Sequence, residues 1–177
     1  MNYEETGTLR QLDMTAILTD RGVLAFGSVD DAFDQNVLRD FSITACINVA
    51  DELSLCHRVD VLGHKVGLRD DDETEDFTRI VPQTLDIIRQ HHQRGQAVMV
   101  HCWEGISRSA CVVLAYLCME CNMELPKALL ALTTANPKVD IYPRYLNQLR
   151  GLLNAAEPEA GKEARKGSKE GKQGRRR

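Results

Sequence analysis

The sequence lacks the features that mark membrane-spanning, secreted or repeat proteins. Its longest apolar stretch, Ala110–Met119, is too short to cross a bilayer. The first residues hold no basic start followed by an apolar run, so no signal peptide is expected, and no lipidation motif is evident. With 43% hydrophobic and 27% charged residues among 177, the composition is that of one globular domain. We therefore expect a cytoplasmic protein, with the nucleus as the alternative, that does not insert into membranes.

The cysteine spacing also fits neither a disulfide framework nor a metal site. Cys118 and Cys121 form a lone C-x-x-C with no second pair and no histidine pair at finger spacing. They fall in an apolar helical pattern, which favours packing over redox or metal chemistry. Since no secretory signal is evident, we expect reduced thiols at the six cysteine positions 46, 56, 102, 111, 118 and 121. No metal and no cofactor is predicted.

Apolar runs alternate with helical patterns along the chain, which predicts an α/β domain. The expected strands are Gly22–Gly27, Ile43–Ala50, His64–Leu68 and Ala97–His101. A helix capped by Ser28 is expected to run to Leu38. The helix that begins near Ser107 is apolar almost all round and should lie in the middle of the domain. The prediction is a central, mostly parallel sheet of about five strands, with helices on both faces.

The composition changes after Ala156. The last stretch, 157–177, holds eight basic residues and four glutamates but no aromatic or branched apolar residue, so it cannot form a core. Because the whole chain carries −4, residues 1–156 carry −8. We predict an N-terminal extension over 1–14, one folded domain over 15–156 and a disordered basic tail. The tail is either simply solvated or an arm for nuclear import or anionic partners.

One short stretch combines a buried strand, a cysteine and an arginine. The strand ends at His101, and the loop Cys102–Arg108, called the cysteine loop below, precedes a helix. Ligands of α/β folds bind at such carboxyl ends of strands, and the amides of the loop can form a cradle for an anion. Among the six cysteines, only Cys102 has an arginine six residues later. A buried inert thiol is the alternative reading of this residue.

The side chains of the cysteine loop suit phosphate chemistry. The helix dipole and the converging amides favour the thiolate of Cys102, which is the nucleophilic form. The planar guanidinium of Arg108 can hold two phosphate oxygens. Ser109 can donate a hydrogen bond to the sulfur, and His101 is expected to order the loop by hydrogen bonding. The residues expected to bind the substrate are Trp103, Glu104, Gly105, Ile106, Ser107 and Arg108.

The sequence H-C-W-E-G-I-S-R-S resembles the signature of cysteine-dependent protein tyrosine phosphatases, and its continuation to A-Y-L resembles the dual-specificity branch. The similarity extends over roughly residues 15–153 and includes the stretch I-N-V-A at 47–50. The resemblance implies that the predicted domain 15–156 is a small atypical dual-specificity phosphatase with the protein tyrosine phosphatase-like fold. It also implies a metal-independent hydrolysis in which Cys102 forms a phospho-cysteine intermediate.

The resemblance further implies a general acid on a loop about thirty residues before the cysteine. Asp71 lies 31 residues before Cys102, and Asp70 and Asp72 are its competitors. General acid catalysis of this kind contributes about 10²–10⁴-fold. The chain departs from the family pattern at Ile141–Tyr145, where an asparagine usually supports the loop. Either another group supports the loop here, or the loop is less firmly held.

Three functions fit the resemblance. The first is hydrolysis of phosphotyrosine and of phosphoserine or phosphothreonine in proteins, with phosphoproteins as partners and no nucleic acid expected. The second is the same chemistry on a phosphoinositide or an RNA 5′-triphosphate, and the third is a non-catalytic phosphate-binding scaffold. Trp103 either packs over the loop or forms an exposed wall that stacks on a substrate ring. Cys46 or Cys56 could pair with Cys102 on oxidation, but the sequence gives no distance between these sulfurs.

Overall fold

The computed structural model describes residues 14–55, 60–69 and 74–156. Its centre is one five-stranded sheet with the order β1-β2-β5-β3-β4. The strands are β1 (Thr15–Thr19), β2 (Gly22–Gly27), β3 (Ile43–Ala50), β4 (Leu62–Leu68) and β5 (Ala97–His101). Only β1 runs antiparallel to its neighbour, while β2, β3, β4 and β5 are parallel. The predicted fold class is therefore confirmed.

Helices cover both faces of this sheet. They are α1 (Val29–Phe33), α2 (Gln35–Asp40), α3 (Val81–His92), α4 (Arg108–Met119), α5 (Leu125–Ala135) and α6 (Pro143–Ala156), with a short 3-10 helix over Phe77–Arg79. Alternate strand residues face opposite sides. Val98 and Val100 of β5 join the larger apolar cluster with α3, α4, α5 and α6, whereas Met99 joins the smaller one with α1 and α2.

The structure adds one element to the first forty residues and corrects one prediction there. The strand β1 was not predicted, because it lies at the sheet edge and has no continuous buried run; its Leu18 side chain is 82% exposed. The helix expected from Ser28 to Leu38 is instead two short helices. Asp34 ends α1. Its carboxylate accepts hydrogen bonds from the amides of Asn36 and Val37 and thereby caps the start of α2. A capping side chain thus overrides the helical pattern.

The helix α4 is buried on nearly all sides, as predicted from its sequence. Every residue from Arg108 to Cys118 is buried. Since β5 ends at His101 and α4 begins at Arg108, the amino end of this helix lies at the carboxyl edge of the parallel strands, directly after the cysteine loop. Within the described residues, no helix has both the length and the apolar character needed to cross a bilayer.

Candidate active site

The cysteine loop is fixed by backbone contacts with the turn between β2 and α1. The amide of Cys102 donates to the carbonyl oxygen of Gly27 at 3.4 Å, and the amide of Val29 donates to that of Trp103 at 3.1 Å. Gly105 has a positive φ of 80°, and a Cβ there would collide with the backbone of Gly27 and Ser28. Only glycine therefore allows this close approach.

One amide donor and one hydroxyl group contact the sulfur of Cys102. The amide of Gly105 donates to Sγ at 3.3 Å, and the hydroxyl of Ser109 lies 3.3 Å from the same atom. Ser109 Oγ is also 3.5 Å from the carbonyl oxygen of Gly27. The loop thus brings the predicted cysteine and the predicted serine into contact, and Cys102 lines a cavity.

Arg108 is held by a residue that the sequence did not indicate. Its terminal nitrogens donate to the two carboxylate oxygens of Glu52 at 2.8 and 2.6 Å, and one of them also donates to the carbonyl oxygen of Leu68 at 3.1 Å. The Arg108 side chain is 3% exposed and that of Glu52 40%. Hydrogen bonding to Arg108 lowers the pKa of Glu52, while burial opposes this shift. The pair stays ionised and fixes the plane of the guanidinium.

The turn that carries Glu52 is shaped by a buried asparagine at the end of β3. The side-chain amide of Asn48 donates to the carbonyl oxygens of Leu53 at 3.0 Å and Ser54 at 3.3 Å, and its oxygen accepts from the amide of Ala50 at 2.8 Å. Because β3 lies beside β5 in the sheet, the ends of these two strands meet. This adjacency exists only in the folded sheet, so the sequence held no signal that identified Glu52.

The segment before α6 supports the cysteine loop through its backbone. The amide of Asp140 donates to the carbonyl oxygen of Ile106 at 3.1 Å, and the amide of Tyr142 donates to the hydroxyl of Ser107 at 3.2 Å. The buried ring of Tyr145 anchors the segment, stacked on that of Tyr142. The sequence left open whether another group replaces the missing asparagine or the loop is less firmly held. In the structure another group, the backbone of this segment, supports the loop.

His101 is fully buried where β5 meets the cysteine loop. Burial lowers the pKa of its imidazole to about 4, and a contact with the backbone of Cys102 offsets this decrease only in part. Neither ring nitrogen has a hydrogen-bond partner of normal geometry in the part of the chain that the structure describes. The predicted ordering by hydrogen bonds is therefore not observed there, and the ring contributes as a neutral packed group.

The cavity above the sulfur gathers most of the predicted binding residues. It measures about 420 Å³ and is lined by Glu52, Cys102, Trp103, Glu104, Ile106, Ser107, Arg108, Asp140 and Tyr142. Gly105 acts through its amide rather than by lining the cavity. The Trp103 side chain is 55% exposed, so of the two predicted placements it is the exposed wall. The candidate acids Asp70, Asp71 and Asp72 lie outside the described residues.

The remaining cysteines differ from Cys102 in their surroundings. Burial raises the pKa of the Cys118 thiol to about 11, and it also raises the pKa values of Cys111 and Cys121. This favours the packing interpretation of the C-x-x-C pair. No group of three or more potential metal ligands occurs in the described ranges. Cys46 belongs to the smaller apolar cluster and Cys102 to the larger one, and Cys56 lies outside the described residues.

With this geometry in place, the chain can be compared with known proteins. A family model described as "Dual specificity phosphatase, catalytic domain" matches residues 24–154. The match includes most of β2, all of β3, β4 and β5, the cysteine loop and most of α6. It therefore covers all the residues that line the cavity.

Individual relatives have low sequence identity to this chain. Dual specificity protein phosphatase 1 of Arabidopsis thaliana is 31% identical over 129 residues, which is 73% of this chain and 65% of its own length. Dual specificity protein phosphatase 19 of Mus musculus is 28% identical over 146 residues, which is 82% of this chain and 63% of its own length. The chain thus spans slightly less than two thirds of these two relatives. The crystal structure of human DUSP28 is 26% identical with a TM-score of 0.71, covering 80% of this chain and 93% of that one.

Proposed function

Since the chain belongs to the dual specificity phosphatase family, we propose that it is a protein phosphatase. Its substrates are phosphotyrosine and phosphoserine or phosphothreonine in proteins. The roles are Cys102 as nucleophile, Arg108 as phosphate ligand, Asp71 as general acid and Ser109 as stabiliser of the sulfur. Phosphorylated proteins are its partners, and the reaction requires no cofactor.

One observation carries this proposal: the Cys102 sulfur and the Arg108 guanidinium line the same cavity. The sulfur accepts a hydrogen bond from the loop amide of Gly105, and the guanidinium is fixed in its plane by Glu52. A phosphoryl group that reaches the sulfur therefore meets a guanidinium donor group whose position is already fixed. Such pre-positioned donors stabilise the charge that spreads over the oxygens in the transition state.

The first chemical step transfers the phosphoryl group to the enzyme. The thiolate of Cys102 attacks phosphorus, so an S–P bond forms while the bond to the substrate oxygen breaks. The leaving oxygen takes a proton from Asp71. Arg108 binds two of the three remaining oxygens, and the loop amides bind the third.

The second step releases phosphate and restores the enzyme. A water oxygen attacks phosphorus, and its proton passes to Asp71, which is now a carboxylate. The S–P bond breaks, and the sulfur leaves as a thiolate. The hydroxyl of Ser109, 3.3 Å from Sγ, donates to the charge that appears there. Nothing in these two steps requires a metal ion.

The test is phosphate release by the wild type and Cys102→Ser from a phosphotyrosine peptide, a phosphothreonine peptide and a phosphoinositide. We expect wild-type turnover of the peptides, and its loss in the variant. Hydrolysis of the lipid alone would replace the proposal with the non-protein alternative. A folded wild type that binds phosphopeptides without turnover would be a scaffold and would contradict the proposal.

The assignment of the acid needs its own comparison. Asp71→Asn should lower kcat by about 10²–10⁴-fold on a phosphotyrosine peptide, with Asp70→Asn and Asp72→Asn as matched controls. The loss should be smaller with p-nitrophenyl phosphate, because a good leaving group needs less protonation. An equal loss on both substrates, or a larger loss in one of the two controls, would contradict Asp71 as the acid.

A further inference from the structure

The mouth of the active-site cavity carries an excess of negative charge. Three of the described residues that line it are acidic, and Arg108 is the single cation among those described residues. The carboxylate of Glu52 is occupied by Arg108. Glu104 and Asp140 are both exposed, and neither forms an ion pair with a residue in the described ranges. We call these two residues the acidic rim.

Both carboxylates of the acidic rim are attached to backbone that is fixed relative to the sulfur. Glu104 lies within the cysteine loop, next to Gly105, whose amide donates to Sγ at 3.3 Å. The amide of Asp140 donates to the carbonyl oxygen of Ile106 at 3.1 Å. The backbone of the acidic rim is therefore part of the framework that holds the cavity, and both of its residues line that cavity.

Two basic side chains of the described ranges, those of Lys65 and Arg144, have partners outside the acidic rim. Lys65 binds Asp51, whose carbonyl oxygen accepts from Nζ at 2.8 Å. Arg144 lies over the rings of Tyr142 and Tyr145 at 5.6 and 4.7 Å from their centroids. Both cations are therefore engaged away from the acidic rim.

The two aromatic residues of the lining suit the same ligand chemistry as the acidic rim. Trp103 and Tyr142 are 55% and 44% exposed and line the cavity beside the carboxylates. Ammonium and guanidinium groups pair with carboxylates and also stack on aromatic faces. Acidic groups beside the phosphoryl group would instead meet like charges without a counter-ion.

We propose that the acidic rim selects phosphorylated residues that have lysine or arginine as close neighbours in the substrate, and disfavours acidic neighbours. This specificity rests on the proposed phosphatase function of the same cavity. The substrate class is a basic phosphopeptide segment. Ligands with several phosphates, such as polyphosphoinositides, carry the opposite charge pattern and are poor substrates.

The experiment compares three phosphotyrosine peptides that differ only in the residues at −2, −1, +1 and +2. These are all alanine, all lysine or all glutamate. Each kcat/KM is divided by that of the same enzyme for p-nitrophenyl phosphate, which has no flanking residues. We expect the lysine peptide to exceed the glutamate peptide roughly tenfold or more, because each exposed pair contributes about two- to fivefold. High salt should shrink the ratio, since about 1 M salt reduces the Debye length to about 3 Å.

Variants assign the effect to the acidic rim. Glu104→Gln and Asp140→Asn should each reduce the lysine-to-glutamate ratio by about two- to fivefold, and the double variant should reduce it further. Glu124→Gln is the matched control, because Glu124 is an exposed carboxylate that does not line this cavity. It should leave the ratio unchanged.

The outcomes separate this proposal from the proposed function. Equal normalised rates for the three peptides would overturn the specificity and leave the phosphatase function intact. A lysine preference that survives in the double variant would overturn the role of the acidic rim. If the wild type hydrolyses none of the three peptides, the protein phosphatase function is overturned, and this specificity with it. This holds whether or not p-nitrophenyl phosphate is turned over.

Discussion

Cys102 and Cys111 lie nine residues apart, one in the cysteine loop and one in α4, and both side chains are buried. The sulfur of Cys102 faces a cavity and contacts an amide and a hydroxyl. Cys111 is packed among apolar residues of the larger cluster, and burial raises the pKa of its thiol. The same residue type therefore serves chemistry in one region and packing in the other. The difference comes from the backbone: the loop turns the amide of Gly105 toward the sulfur, whereas the helix uses its amides in its own hydrogen bonds.

Alanine substitution of each cysteine is the strongest test of this comparison. Cys102→Ala should lower phosphatase turnover by at least about 10⁴-fold, because it removes the nucleophile. Cys111→Ala should instead lower the free energy of unfolding by about 1 kcal/mol through a small cavity, with kcat of the folded enzyme unchanged. Phosphate release and urea unfolding measure the two effects. Comparable losses of turnover in the two variants would contradict the comparison.

The pH dependence of the free energy of unfolding tests whether His101, at the end of β5, is buried as a neutral group. The pKa of His101 falls from its usual 6.5 to about 4 on folding, so the unfolded chain binds more protons between these values. The free energy of unfolding should therefore be highest above pH 6.5 and decrease as the pH falls below that value. The contribution of His101 between pH 7 and pH 5 is about 2 kcal/mol, roughly thirtyfold in the unfolding constant.

Urea unfolding at both pH values measures this change, and His101→Gln should remove much of it. Burial also lowers the pKa values of His64 and His92, so a smaller slope of the same sign should remain in the variant. Higher stability at pH 5 than at pH 7 in the wild type would contradict the prediction.

The Glu52→Gln variant tests whether the cysteine loop also depends on a fixed Arg108 guanidinium. The variant keeps the size of the side chain but cannot accept from both terminal nitrogens of Arg108. We expect kcat and kcat/KM to fall together by about tenfold, because the guanidinium is less well positioned in the transition state. Asp51→Asn is the matched control, since that carboxylate faces Lys65 rather than Arg108. A lower KM with unchanged kcat would instead mean that Glu52 competes with the phosphoryl group.

Ser109→Ala should have the smallest of these effects. The variant removes one hydrogen bond to the sulfur, which corresponds to about fivefold in rate. The loss should fall on hydrolysis of the phospho-cysteine, so rapid mixing with p-nitrophenyl phosphate should show an initial burst of nitrophenol. Thr134→Ala, an exposed hydroxyl on α5, is the control and should show neither change. Slower formation of the intermediate with no burst would contradict this role.

The parts of the fold that the sequence predicted well have local causes. The strand before Cys102 and the helix after it are continuous apolar runs, and the glycine and arginine of the loop lie within six residues of the cysteine. By contrast, β1 is a strand because it pairs with β2 at the sheet edge. Its sequence contains no buried run that would indicate this pairing.

The sequence by itself determined the α/β class, the cysteine loop and the pairing of Cys102 with Ser109, because all of these follow from residues close together in the chain. The tertiary structure alone decided that Glu52, 56 residues before Arg108, fixes the guanidinium. It also decided that the backbone of Asp140 and Tyr142 supports the loop and that two carboxylates without an ion pair in the described ranges line the cavity. These contacts arise where strand order and helix packing bring distant segments to one edge of the sheet, and no local pattern encodes that order.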